Sequence, residues 1–275
     1  MDAMQTSPPS KTALPECAKY FPVPGGHLYT VLHQVPDPLA RVLMIGSFAS
    51  ERHFSYHPWL RWARYLATRG IEVLRYDYRG VGESTGVFED LSFANWSEDV
   101  RLLAAWFASR SPRVPFVLHG LEIGAVLAGR GFHEGMGDAL LLWAPPRNAN
   151  QALRASLMRW TGIEQLFESA QNRRAASDYT RQLEKGSPIE VQGYLWSSNL
   201  WRESYDFELP SAMGEEDSAL AAYGKPVKIV ALDKRAAPLV KPFVGYDEVK
   251  DLSYLYASNF SWLVEALALP IEERS

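Results

Sequence analysis

The residues whose types and spacing could do chemistry lie between positions 116 and 125. An apolar run, 116–119, is followed by Gly120-Leu121-Glu122-Ile123-Gly124 and then by a helix-like stretch. In the pattern G-x-S-x-G, a sharp strand-to-helix turn exposes the side chain between the two glycines, normally a nucleophilic serine. Here that side chain is Glu122. The sequence therefore predicts the turn, but with a carboxyl group in place of the hydroxyl that the turn normally presents.

Apolar strand-like runs alternate with helical patterns along most of the chain. Residues 18–35 predict a hairpin around Pro24-Gly25-Gly26, and buried strands are predicted at 41–46, 71–78, 116–119, 139–143 and 227–232. Between them, apolar residues recur three or four apart, as in amphipathic helices. This alternation indicates an α/β fold with a mostly parallel central sheet flanked by helices and right-handed crossovers.

A second motif follows the predicted strand at 71–78. It reads Asp77-Tyr78-Arg79-Gly80-Val81-Gly82-Glu83-Ser84, about forty residues before the turn at Glu122. Together the two motifs, and the order of the elements around them, resemble the α/β-hydrolase superfamily over roughly residues 17–270. Within it, the chain is similar to acyl-ester or peptide hydrolases of the serine-aminopeptidase type. The strings at 48–52 and 191–194 are also similar to hydrolases that accompany exosortase systems.

The resemblance implies a Ser-His-Asp mechanism, in which backbone N–H groups hold the oxyanion. The serine position is Glu122, and the oxyanion donors would be the N–H groups of Ile123 and of a residue near Phe48. Asp233 is the nearest candidate for the acid. The histidine should precede the last helix, yet no histidine follows His133. The resemblance thus implies a triad that has lost both its nucleophile and its base.

The chemistry of Glu122 leaves alternatives open. A helix N-terminus favours an ionised carboxylate. At ~4 Å and an effective dielectric near 20, that charge would oppose a developing oxyanion by about 4 kcal/mol, roughly three decades in rate. Glu122 could instead act as base or nucleophile with His53 or His57, from a predicted loop at 47–58, as a relocated base. A third hypothesis is a salt bridge to Arg79 or Arg52.

The stretch at 147–222 breaks the strand-and-helix rhythm, and we interpret it as a helical lid insertion. It includes a helix predicted at 165–185 and several aromatic residues, which indicate an apolar pocket or a partner surface. The predicted organisation is a flexible lead-in at 1–16, an α/β-hydrolase core at 17–146 and 223–275, and the lid at 147–222.

Composition narrows the classes of partner. A net charge of −4 and the absence of a basic tail argue against nucleic acid, and no apolar run is long enough for a membrane span. The single cysteine, Cys17, suits a reducing cytoplasm. The spacings of histidine and cysteine match no common metal motif, so we expect neither a metal nor a cofactor.

Two functions follow as hypotheses. The first is a hydrolase-like pseudoenzyme with a degenerate triad that binds a small apolar ligand or a protein partner. The second is an active hydrolase of ester or amide bonds that uses Glu122 with His53 or His57.

Overall fold

The computed structural model describes residues 14–169, 173–232 and 251–270. In these ranges the strands are β1 Glu16–Val23, β2 Gly26–His33, β3 Ala40–Ile45, β4 Ile71–Tyr76, β5 Phe116–Leu121, β6 Ala139–Trp143, β7 Ile189–Val191, β8 Tyr194–Trp196 and β9 Val227–Val230. The α-helices are α1 Arg52–Ala67, α2 Phe93–Ser109, α3 Ile123–His133, α4 Ala149–Phe167, α5 Ala176–Glu184, α6 Ser198–Asp206, α7 Glu216–Tyr223 and α8 Ser253–Ala266. Short 3₁₀ turns lie at Ala49–Glu51, Phe88–Asp90 and Ser211–Gly214.

Seven of these strands form one sheet in the order β1-β2-β4-β3-β5-β6-β9. The pairs β1–β2 and β2–β4 are antiparallel, whereas β3, β4, β5, β6 and β9 run parallel. The predicted hairpin and the mostly parallel sheet are thereby confirmed. Every residue of β3, β5 and β6 is buried, as expected for strands covered by helices on both faces.

The two faces of the sheet carry separate apolar clusters. Alternate strand residues such as Leu43 and Leu118 pack with α2 and α3, and their neighbours Val42 and Val117 pack with α1 and α8. This is the period-2 alternation of a strand that faces two layers. The core is therefore a three-layer α/β/α sandwich with the turn at Glu122 between β5 and α3.

Residues 147–222 lie between β6 and β9 and are called the insertion below. In its described part it holds α4 to α7 and the short antiparallel pair β7–β8. The single helix predicted at 165–185 is wrong: α4 ends at Phe167, and α5 begins only at Ala176. The apolar periodicity of α4 starts near 149, where Asn148 caps the helix by accepting from the N–H of Gln151.

Two further predictions concern residues that the structure does not describe. Residues 1–13 of the predicted lead-in lie outside them, as does Asp233. None of the helices in the described ranges is both long and apolar enough to cross a bilayer.

Candidate active site and ligand cavity

The turn at Glu122 has the strained geometry that presents a side chain. Glu122 precedes α3 with a φ of 56° and a ψ of −120°, a conformation that costs a residue other than glycine on the order of 1–3 kcal/mol. The N–H of Glu122 donates to the Trp143 carbonyl at 3.0 Å, and its carbonyl accepts from Ala125 N at 2.9 Å. These bonds hold the strained backbone in place.

The two glycines of the motif are required by close packing. A Cβ atom on Gly124 would overlap the carbonyl oxygens of Ile45 and Gly46, and one on Gly120 would overlap the backbone of Ala125. The first turn of α3 therefore lies directly against the end of β3, which places Ile123 beside the segment that contains Phe48.

The Glu122 carboxyl interacts with the backbone groups of Ile123 and Phe48, which the resemblance implies as oxyanion donors. The side chain is buried, with 7% of its surface exposed. Hydrogen bonding from the backbone of Ile123 and of Phe48 lowers the pKa of this carboxyl, whereas burial and the charge of Glu51 raise it. Burial is the largest effect, and the pKa rises to about 7. Burial therefore affects the pKa of this carboxyl more than the favourable groups at the helix N-terminus do.

The charged neighbours of Glu122 are Glu51 and Arg159, which the sequence analysis did not single out. Glu51 is buried, and its Oε1 accepts from Ser156 Oγ at 2.7 Å. Arg159 Nη2 lies 2.7 Å from the same Oε1. This contact is an ion pair rather than a hydrogen bond, since Nη2 has no hydrogen-bond partner among the described residues. Ser156 and Arg159 both belong to α4, so the insertion contributes directly to this site.

The proposed salt bridge from Glu122 to Arg79 or Arg52 is not what the structure shows. Arg79 pairs with the fully buried Asp99, and Arg52 Nη2 donates to Asp77 Oδ1 at 2.6 Å. Asp77 also accepts from the N–H of Glu83 at 3.1 Å. These arginines stabilise the turn that follows β4.

His53 and His57 lie on α1 and not in a loop. The predicted loop at 47–58 becomes a 3₁₀ turn and then a helix that begins at Arg52 and includes Pro58. Both histidine side chains are on the exposed side of α1, and neither lines the cavity above Glu122. This placement does not favour either of them as a base for Glu122.

His119 is buried within β5, three residues before Glu122. Its ring packs against Trp59 and Trp143 at centroid distances of 4.7 and 4.8 Å, and Nδ1 lies 2.9 Å from the Leu141 carbonyl oxygen. Complete burial lowers its pKa to about 3. The neutral imidazole is therefore part of the core beneath the site.

A cavity of about 800 Å³ opens above Glu122. Glu122 and Arg159 line it together with apolar residues, which include Ala144, Pro145, Ala152, Ala155, Leu209, Met213 and Ile229. The exposed residues Arg147, Gln151 and Glu208 also line it. The described residues contain no group of three or more His, Cys, Asp or Glu side chains arranged to hold a metal ion.

Comparison with known proteins agrees with this geometry. The family model described as serine aminopeptidase, S33, matches residues 55–185. The chain therefore has an α/β-hydrolase fold, part of which matches this family model. Comparison with curated protein sequences gives no significant match.

Solved structures of α/β hydrolases share the fold at low sequence identity. A soluble variant of monoglyceride lipase from Saccharomyces cerevisiae, in complex with a substrate analogue, is 13% identical with a TM-score of 0.60, covering 98% of this chain and 100% of the lipase. Est1E from Butyrivibrio proteoclasticus, with ferulic acid bound, is 17% identical with a TM-score of 0.58. The match covers 91% of this chain and 100% of Est1E. A highly thermostable carboxyl esterase from Bacillus coagulans, in complex with glycerol, is 14% identical with a TM-score of 0.58. The match covers 92% of this chain and 99% of the esterase.

In this fold, Glu122 lies at the strand-to-helix turn, the position that the resemblance assigns to the nucleophile. The six histidines all lie in described residues, at 27, 33, 53, 57, 119 and 133. The resemblance places the base in the part of the chain after β6, and no histidine lies there. Glu51 could have been noticed from the sequence, since it closely follows the strand predicted at 41–46 and lies near Phe48. Arg159 carried no such signal, because its position depends on how α4 packs.

Proposed function

We propose that this protein binds a small, largely apolar molecule in the cavity above Glu122 and does not carry out serine-hydrolase turnover. One observation carries the proposal: the Glu122 carboxyl already interacts with the backbone groups of Phe48 and Ile123. In an acyl-transfer mechanism those N–H groups would stabilise the oxyanion. A side chain that occupies them competes with the transition state and leaves the cavity as a binding site.

The cavity supports a small molecule as the ligand. Its volume, about 800 Å³, lies within the range of ligand pockets, and such pockets are mostly apolar with a few polar groups. The buried polar group at this cavity is Glu122, with Arg159 beside it, while Arg147, Gln151 and Glu208 line it from exposed positions. A recessed pocket of this kind suits a compact molecule better than the flat surface of a protein partner.

Binding can be tested with Nile red, a neutral apolar dye, by fluorescence titration. We expect saturable binding that Ala155→Trp abolishes, because the added indole fills the cavity that Ala155 lines. Ala221→Trp is the matched control, since Ala221 is exposed on α7 and does not line the cavity. Binding that survives Ala155→Trp unchanged would count against this cavity as the site.

The loss of serine chemistry is tested by Glu122→Ser. We expect no hydrolysis of p-nitrophenyl butyrate above the uncatalysed rate and no labelling by a fluorophosphonate probe. The restored hydroxyl has no histidine to accept its proton, because His53 and His57 face solvent from α1 and His119 is buried. Rapid turnover by this variant would reveal a base and contradict the proposal.

A second candidate function is favoured by the raised pKa of Glu122. A carboxyl with a pKa of about 7 is suited to general acid–base catalysis near neutral pH. The protein would then hydrolyse esters or amides with Glu122 as base, without His53 or His57. Turnover of p-nitrophenyl butyrate or an aminoacyl p-nitroanilide that rises through pH 7 and disappears in Glu122→Gln would establish this function and overturn the first.

A further inference from the structure

The inner end of the cavity holds buried polar atoms that lack partners. Glu122 Oε2 and Arg159 Nε are each less than 1 Å² exposed and have no hydrogen-bond partner among the described residues, whereas Arg159 Nη2 is ion-paired with Glu51 Oε1 at 2.7 Å. Both side chains line the cavity. Buried donors and acceptors are nearly always satisfied in folded proteins, so unpaired atoms in a cavity indicate where a ligand's polar group belongs.

These atoms specify what the ligand must offer. The Nε–H of Arg159 is a donor without a partner among the described residues, and a guanidinium accepts nothing, so its partner needs an acceptor. Ionised Glu122 only accepts, so its partner needs a donor. An ester lacks the donor, and an ammonium group lacks the acceptor.

The charges around the two residues favour a neutral head group. The charge of Arg159 is already balanced by Glu51, whose Oε1 lies 2.7 Å from Arg159 Nη2. A carboxylate would add a third negative charge beside Glu51 and Glu122. An ammonium group would be placed against the guanidinium.

We propose that the ligand carries a carboxamide, whose carbonyl oxygen accepts from Arg159 and whose N–H donates to Glu122 Oε2, while its apolar body lies against the cavity walls. This inference rests on the proposed binding function and specifies the class of ligand. A carboxamide carries an acceptor and a donor on the same carbonyl carbon of one neutral, planar group, and so offers one partner to each of the two side chains.

A matched series of probes tests the head group: 4-phenylbutanamide, methyl 4-phenylbutanoate, 4-phenylbutanoate and 4-phenylbutylamine. Each is titrated into the full-length protein by calorimetry at pH 8, where Glu122 is mostly ionised. We expect the amide to bind most tightly, with a preference of about 10-fold or more over the ester, as expected for one hydrogen bond to a charged group.

Two variants assign this preference to the named atoms. Glu122→Met keeps the length of the side chain without the acceptor, and we expect the amide-to-ester preference to fall to about 1. Arg159→Met should weaken the amide and the ester alike, by about 10-fold, because both carbonyl groups lose their donor. Arg181→Met is the control, since Arg181 is exposed on α5 and does not line the cavity. Circular dichroism checks that each variant is folded.

The outcomes separate this inference from the proposed function. Equal binding of amide and ester, tightest binding of the carboxylate or the amine, or a preference that survives Glu122→Met would overturn the carboxamide assignment. Nile red binding without binding of any of the four probes would also overturn it and leave the proposed function standing. Absence of both Nile red and probe binding would overturn the proposed function itself.

Discussion

At the scale of single residues, Glu122 couples protonation to folding. Its pKa in the folded protein, about 7, lies above the ordinary value of 4.5, so the folded state holds the proton more tightly than the unfolded chain does. The resulting contribution to stability is fully present below pH 4.5 and is lost as the pH rises through 7. Burial and the nearby Glu51 are its main causes.

Glu122→Gln should remove this pH dependence. Relative to the parent protein, we expect the variant's free energy of unfolding to improve by up to about 3 kcal/mol between pH 4.5 and pH 8, because an amide has no proton to lose. Urea unfolding of both proteins at the two pH values measures the difference. The same pH dependence in both proteins would assign the titration to another group.

The sequence locates Glu122 at the turn but does not reveal its environment. The motif fixes the backbone, since Gly120 and Gly124 leave no room for a Cβ atom. The side chain's protonation depends on Glu51 and Arg159, which lie 71 and 37 positions away in the chain. Such long-range proximity leaves no local pattern, and reasoning from the helix N-terminus alone therefore leaves out the effects of burial and of Glu51 on the pKa of Glu122.

At the scale of elements, the site depends on how closely α3 approaches β3. Gly124 allows the first turn of the helix to contact the carbonyl groups of Ile45 and Gly46. The same approach brings the backbone groups of Ile123 and Phe48 to the Glu122 carboxyl. A change that moves α3 outward should therefore affect stability and the pKa of Glu122 together.

Gly124→Ala tests this packing. We expect a loss of about 1–3 kcal/mol in the free energy of unfolding, typical of overpacking a core, because the new methyl group overlaps backbone atoms that cannot rotate away. Gly162→Ala is the matched control within α4: its Cβ meets open space, and it should gain roughly 0.5–1 kcal/mol from helix propensity. Thermal and urea unfolding compare the two, and similar effects would contradict the packing argument.

The strands were more predictable than the helices. The apolar runs at 41–46, 116–119 and 139–143 fall within one or two residues of β3, β5 and β6, because strands buried on both faces need continuous apolar sequence. The start of α1 was missed, since the sequence predicts a loop at 47–58. The structure begins the helix at Arg52 and accommodates Pro58 inside it.

At the scale of the whole molecule, the insertion and the α/β core share one apolar cluster. Trp196 packs on Phe48 at a centroid distance of 6.1 Å, and Phe207 stacks on Phe93 at 4.7 Å. The cluster is continuous from α2 and α3 through the insertion. The aromatic residues that suggested a ligand or partner surface are therefore, at these positions, part of the core.

This shared cluster predicts that the core and the insertion unfold together. Phe207→Ala should cost about 3–5 kcal/mol, as expected for a large buried aromatic side chain, and Phe207 is 8% exposed. Phe167 is the last residue of α4 and is 84% exposed. As the control, Phe167→Ala should change the free energy of unfolding by less than about 0.5 kcal/mol. In urea, far-UV and near-UV circular dichroism should give coincident transitions. A near-UV transition at lower urea than the far-UV transition, shifted by Phe207→Ala and not by Phe167→Ala, would contradict this prediction. It would indicate that the insertion opens independently of the sheet.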